Sequence, residues 1–204
     1  MTDRTTREPA ARRVRPDAQR SLDALLAAAS EVFASDGVDA PVRRITARAG
    51  VGAGTLYRHF PQRSDLITAV FRREVDACAE AAPGLSEQYG PAEALDRWLR
   101  RFTLFIAAKR GLKAALHSGD PAYENLPAYF EQHFVPVLTE LLDAAVASGE
   151  IRSGVIPYDL LRAVGDLVAP DDPEYTERMT GLLVDGLRWG AGAEPSSSSS
   201  PSSR

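Results

Sequence analysis

A single cysteine, Cys78, stands among the 204 residues, which excludes an internal disulfide and any zinc site built from several thiolates. No apolar run approaches the roughly 20 residues that cross a bilayer core. The polar, Arg-rich stretch from Met1 to Arg20 lacks the apolar segment of a secretory signal. A cytoplasmic protein with no membrane partner is the expectation. No segment alternates polar and apolar residues at period two with β-branched side chains, so no strand is expected and the fold class is all-α. There is no H-E-x-x-H pair and no nucleophile signature, so an α-helical enzyme using His117 or His133 with nearby carboxylates has no motif behind it. No metal site or cofactor is expected. The most telling absence is local: residues 41–63 contain five arginines and no aspartate or glutamate, in a chain whose formal net charge is −4.

That local absence belongs to a wider asymmetry. Residues 1–73 hold 13 arginines against eight carboxylates, a balance of +5, whereas the remaining 131 residues hold 11 basic and 20 acidic side chains, a balance of −9. Opposite signs in the two parts suggest that only the N-terminal part meets a polyanion. Arg12, Arg13 and Arg15 cluster just before the first helical pattern. A basic arm there either stays solvated or follows a nucleic-acid backbone.

The rest of the chain reads as helices. From Pro16-Asp17, Leu22, Leu25, Leu26, Ala29, Val32 and Phe33 recur at helical period until Gly37. Val42–Ala49 predicts a short helix with Val42, Ile45 and Ala49 inward and Arg43, Arg44 and Arg48 outward, ended by Gly50. A third short helix spans about Ala53 to Phe60, and Pro61 closes it. Ser64 caps a fourth, lined by Leu66, Ile67, Val70, Phe71 and Val75, which runs to about Ala82 before a break at Pro83-Gly84. Pro91 opens a long helix to about Lys109. A short helical piece, Leu112–Ser118, precedes a long helix ending near Ser148 and kinked at Pro136. Two more helices follow, Pro157–Val168 and Pro173 to about Trp189. The Ser/Pro-rich tail from Gly190 is expected to be disordered.

Two short helices joined by a glycine turn, with cations outside, suit insertion of the second helix into a DNA major groove. Arg43 and Arg44 can reach guanine edges or phosphates, and Thr55 a base or a thymine methyl group. Tyr57 and His59 place polar tips where backbone oxygens would lie, and Arg63 adds a cation at the start of the fourth helix. The run Gly50-Val-Gly-Ala-Gly-Thr55 also suggests a dinucleotide-binding loop. Thr55 stands where the third glycine belongs, however, and an Arg-rich helix, not a strand, comes first. The glycines serve the turn and a close approach of backbone to DNA.

The run Ile45-Thr-Ala-Arg-Ala-Gly-Val-Gly-Ala-Gly-Thr-Leu-Tyr-Arg-His-Phe-Pro-Gln-Arg-Ser-Asp-Leu66, with Leu25–Gly37 upstream, resembles the signature of TetR-type (tetracycline-repressor-like) transcriptional regulators over about residues 17–72. The resemblance implies a homodimer with an N-terminal three-helix DNA-binding domain and a larger helical domain that senses a small-molecule effector. By family position, Arg43, Arg44, Ala53, Gly54, Thr55 and Arg58 would face bases or the groove. Tyr57, His59, Arg63 and Pro41 would sit at phosphate-contact positions. Two positions depart from the pattern: Pro41 replaces a frequent Thr or Ser cap, and Gly52 a frequent Ser cap, so both helices start weakly capped. The domain layout expected is a disordered basic arm at 1–16, the helix-turn-helix domain at 17–63, the ligand-binding and dimerisation domain at 64–190 and the tail at 191–204.

Trp98, Phe102, Phe105, Tyr123, Tyr129, Phe130, His133 and Phe134 lie in the acidic part. Aromatics at helical spacing usually form core. The resemblance raises the alternative that Trp98, Phe102, Phe105, His117, Tyr123, Tyr129, Phe130 and His133 line an effector pocket, the polar members supplying hydrogen bonds. Leu138–Leu167, with Gly149-Glu-Ile-Arg152 and Asp159-Leu-Leu-Arg-Ala-Val164, resembles the ligand domain of SbtR-like actinobacterial regulators. The last two helices carry Leu160, Leu161, Val164 and Leu167, then Met179, Leu182, Leu183 and Leu187, with Gly165, Gly181 and Gly186 among them. Glycine costs about 1 kcal/mol in a helix interior, so close helix approach is expected, within the chain or, as the resemblance favours, across a two-fold dimer interface. A repressor released from a palindromic operator by a small molecule is the expected function. A helical DNA-binding protein without a ligand is the alternative.

Overall fold

A computed structural model describes residues 11–108 and 119–189. His117, the short helix expected over Leu112–Ser118 and the tail from Gly190 lie outside the described residues. Among those described, nine α-helices and one 3₁₀ turn follow one another and no strand occurs, as the all-α reading requires. The helices are α1 (Ala11–Asp36), α2 (Val42–Ala49), α3 (Ala53–His59), α4 (Arg63–Ala79) and α5 (Ala81–Gln88). After them come α6 (Pro91–Ala107), the 3₁₀ turn Pro121–Tyr123, α7 (Leu126–Ala147), α8 (Pro157–Leu167) and α9 (Pro173–Arg188). No helix among the described residues is long and apolar enough to cross a membrane.

Two boundaries differ from expectation. α1 opens at Ala11, inside the stretch expected as a basic arm, and so carries Pro16 in its interior, where proline offers no N–H to the helix. Pro83-Gly84 does not break the chain. α4 stops at Ala79 and α5 opens at Ala81, which puts Pro83 in the first turn, where a missing N–H leaves no helical bond unmade. Pro136 does lie inside α7.

The chain forms two compact units. One takes in the described residues up to Glu74 together with those of Ala108–Pro127; the other takes in Val75–Ala107 and the described residues from Ala128. The expected boundary at 63/64 therefore moves into α4, for a physical reason. Leu66, Ile67, Val70 and Phe71 of α4 are buried with Leu25, Ala29, Val32 and Phe33 of α1, Ile45 of α2 and Leu56 of α3 as the core of the first unit. Arg73 Nη1 also donates to the Asp23 carbonyl of α1 at 2.9 Å. In the second unit α8 and α9 pack on α6. The core there is Leu95, Trp98, Leu99 and Phe102 of α6 with Phe134, Leu138 and Ala145 of α7, and Leu161 and Val164 of α8.

Candidate nucleic-acid interface

The turn between α2 and α3 is a glycine device. Gly50 takes φ 67°, ψ 27° and its N–H bonds the Thr46 carbonyl, a left-handed cap that L side chains adopt only with strain. Gly52 caps α3 without a side-chain bond, and Pro41 does the same for α2, so neither helix has the hydroxyl cap that the common pattern supplies. What holds both in place is burial of Ile45, Thr46, Leu56 and Phe60.

Everything facing out of this pair is small, polar or cationic. Arg43, Arg44, Ala53, Gly54, Tyr57 and Arg58 are exposed, Thr55 and His59 half-buried. Tyr57 is 54% exposed, far more than a core tyrosine, and its hydroxyl is open to a partner. The five arginines differ sharply in what they touch. Arg44 pairs with Asp36 of α1 at 2.5 Å, and Arg48 pairs with Glu31 of α1. Arg63, expected at a phosphate, instead grips the protein: its Nε donates to the Val38 carbonyl and its Nη2 to the Ala40 carbonyl, each at 2.6 Å, and its guanidinium lies 5.9 Å from the Phe33 ring centroid. It braces the turn between α1 and α2. Arg43 and Arg58 make no ion pair among the described residues. They are the two cations most available to an external anion.

Tyr123 was grouped with the effector residues by sequence, but it is buried in the first unit, on the same side of the division as α2 and α3. Burial raises its hydroxyl pKa, Asp120 adds to the rise, and the Arg63 charge opposes it. Thr68 of α4 reaches the neighbouring Ala122 carbonyl at 3.5 Å. Nothing in the local sequence signals this placement.

In the second unit the aromatic residues gather as expected, and they fill one another's space. Phe102 stacks on Trp98 at 5.8 Å and Phe105 at 5.9 Å, and meets Phe130 at 5.9 Å. Phe134, which was not among the expected lining residues, stands edge-on to Trp98, Phe102, Phe105 and Phe130 at 4.8–5.7 Å. Tyr129 and His133 form a separate polar group: the Tyr129 hydroxyl donates to Asp76 Oδ1 at 2.6 Å, the two rings stack at 3.9 Å, and His133 Nε2 lies 3.6 Å from Asp76 Oδ1. Asp76 comes from α4, 53 positions before Tyr129, so local sequence does not pair the two.

The expected dimer residues divide in two. Leu160, Leu161, Val164 and Leu187 are 0–7% exposed within the single chain, so they are its own core. Leu182 is 66% exposed, and Leu167, Met179 and Leu183 are half-buried. α9 is apolar on two sides. Thr176, Thr180, Val184 and Leu187 face inward, while Tyr175, Met179, Leu182, Gly186 and Trp189, at i, i+4, i+7, i+11 and i+14, form an outward stripe on which Tyr175 is 38% and Trp189 85% exposed. A Cβ at Gly165 or Gly186 would meet open space, and one at Gly181 only Arg100 Nη2 at 3.7 Å. Close approach among the described residues does not explain these glycines.

A glycine-turned helix pair with an acid-free outer face defines a helix-turn-helix DNA-binding regulator. Residues 25–70 match the model of bacterial regulatory proteins of the tetR family, and residues 90–189 that of the SbtR-like transcriptional regulator C-terminal domain. The chain belongs to the TetR family of transcriptional regulators. An HTH-type transcriptional regulator of Staphylococcus aureus (strain USA300) is 38% identical over 85% of this chain and 81% of its own. A TetR transcriptional regulator of known structure from Streptomyces coelicolor is 42% identical, with TM-score 0.68 over 81% of this chain and 97% of that one. A TetR regulatory protein from Mycobacterium vanbaalenii is 34% identical, with TM-score 0.69 over 86% and 99%.

Proposed function

We propose that this chain is a cytoplasmic repressor that binds a palindromic operator as a homodimer and is released by a small molecule held in its C-terminal part. The observation that carries the DNA half is the acid-free outer face of α2 and α3. In a chain of net charge −4 it presents Arg43, Tyr57 and Arg58 to solvent, with Thr55 half-buried among them. Arg43 reads a guanine edge in the major groove, Thr55 a base, and Arg58, Tyr57 and His59 the groove and its phosphates. Because Gly52, Ala53 and Gly54 offer almost no side chain, DNA shape carries part of the specificity.

Two recognition helices must reach grooves about 34–36 Å apart, which calls for a second copy. The outward stripe of α9 supports that reading, since it leaves Leu182 and Trp189 without cover among the described residues. A ligand releases the operator by favouring a dimer state of different spacing; taking occupancy from 99:1 to 1:99 requires a preference of roughly 5.5 kcal/mol between the states.

The mutual packing of Phe102, Phe105, Phe130 and Phe134 favours a second reading, a DNA-binding protein with a solid core and no ligand. One experiment separates them. Footprinting of the region upstream of the chain's own gene should reveal a protected palindrome, and small-molecule extracts should then release it. An unprotected region counts against the repressor; a palindrome that no extract releases favours the ligand-free reading.

A further inference from the structure

α6 has two unlike faces. Trp98, Leu99 and Phe102 point into the core of the second unit, whereas Arg97, Arg100, Arg101 and Leu104, at i, i+3, i+4 and i+7, lie on the other side. With Ala81 and Leu85 of α5 that side lines an open groove of about 440 Å³. Three guanidinium groups and no carboxylate line it, in a part of the chain whose charge balance is strongly negative.

Each guanidinium is anchored from outside the groove. Arg97 Nε donates to Glu93 at 2.9 Å, and its guanidinium lies 3.9 Å from the Tyr89 ring centroid. Arg100 Nε is held by both oxygens of Asp96 at 3.0 and 3.1 Å, and its Nη1 by Glu177 at 3.1 Å. Arg101 Nη2 donates to the Ala77 carbonyl at 3.2 Å. These contacts fix the planes and leave N–H groups over: on Nη1 of Arg97, Nη2 of Arg100, and Nε and Nη1 of Arg101. Planar forks of this kind suit a carboxylate or phosphate. Arg101 has no carboxylate partner among the described residues. Beside the forks the wall turns apolar: Leu104 is 71% exposed, an unusual state for a leucine whose neighbours on the same face are cations.

We propose that this groove binds an anionic amphiphile. A carboxylate or phosphate head group sits on Arg97, Arg100 and Arg101, and an aliphatic chain lies over Ala81, Leu85 and Leu104. A bare anion gains only water-screened charge contacts there, and a neutral or cationic amphiphile gains only the chain contact. The combination is what the surface complements. The site lies on the opposite face of α6 from the packed aromatic rings and stands whether or not those rings ever open to an effector.

The test is calorimetric titration of the full chain with decanoate and decyl phosphate below micelle formation. Inorganic phosphate and decyltrimethylammonium serve as controls, with the variants Arg101→Gln and Leu104→Gln checked by circular dichroism for an intact fold. The expected result is saturable binding of one or both anionic amphiphiles, at least tenfold weaker in each variant, and at least tenfold weaker binding of both controls to the parent chain. The difference between the two anions then assigns the head group. No binding of either anion, equal binding of the cationic amphiphile, or affinity unchanged in either variant overturns the proposal.

Discussion

Two exposed surfaces of this chain are unlike anything its own folding demands. The outer face of α2 and α3 is cationic and nearly devoid of bulky apolar groups. The outward stripe of α9 carries Tyr175, Leu182 and Trp189 in the open. On the first, charge is left over because no carboxylate lies within residues 41–63, although α1 lends Asp36 and Glu31 to two of the arginines. On the second, apolar area is left over because the inward side of α9 already completes the core. One surface matches a polyanion and the other an apolar surface like itself.

The comparison breaks most visibly at Leu182. Leu182→Glu places a charge where the proposed dimer would bury a leucine, and should weaken self-association on the order of 100-fold, about 3 kcal/mol. Sedimentation reads this directly, and an unchanged dimer would remove the stripe from the interface. Arg43→Ala comes next, with an expected loss of ~1–3 kcal/mol in operator affinity and no change in oligomeric state. Gel-shift titration at fixed salt measures it. Arg44→Ala should lose less than Arg43→Ala, by up to about 1 kcal/mol, because an Arg44 contact to DNA first breaks its exposed pair with Asp36. Equal losses at the two positions would show that the Asp36 pair opens on DNA.

Two further changes bear on what lies behind the surfaces. Thr180 is 1% exposed on the inward side of α9, and its hydroxyl has no hydrogen-bond partner among the described residues. Thr180→Val keeps the shape and removes the unpaired group, so a gain of about 1 kcal/mol in thermal unfolding is expected. Tyr123 should show the smallest effect. Its pKa is raised in the folded state, chiefly by burial, so its contribution is fully present below the unfolded tyrosine value of about 10 and is lost as pH rises through the folded value. Tyr123→Phe should flatten the alkaline side of a stability-against-pH curve and leave neutral pH nearly unchanged.

Much of this was legible in the sequence. The helical periods place α2, α3, α6 and α9 correctly, since a stripe of apolar residues at 3.6 spacing has only one way to be buried. The acid-free window is equally local, and the structure keeps Arg43, Tyr57 and Arg58 of that window exposed. What was not legible depends on long-range partners. Arg63 reads as a free cation, and becomes a brace only when the Val38 and Ala40 carbonyls come into reach from 25 and 23 positions away. For Leu160 and Leu161 the resemblance favoured an interface, since periodicity gives a face without saying what covers it; both are buried within the chain.

The place of Ala108 and of residues 119–127 in the first unit also governs how the molecule can be taken apart. The chain crosses between its units within α4, after α6 and again within α7, so neither unit is one continuous length of sequence. A fragment ending at Glu74 would carry both helices of the DNA-reading pair but lack Tyr123 and Leu126, which complete its interior. Chimaeras that graft this reading head onto another regulator therefore need two splices. A fusion that moves the N-terminal segment alone should melt lower than one that carries the later segment with it.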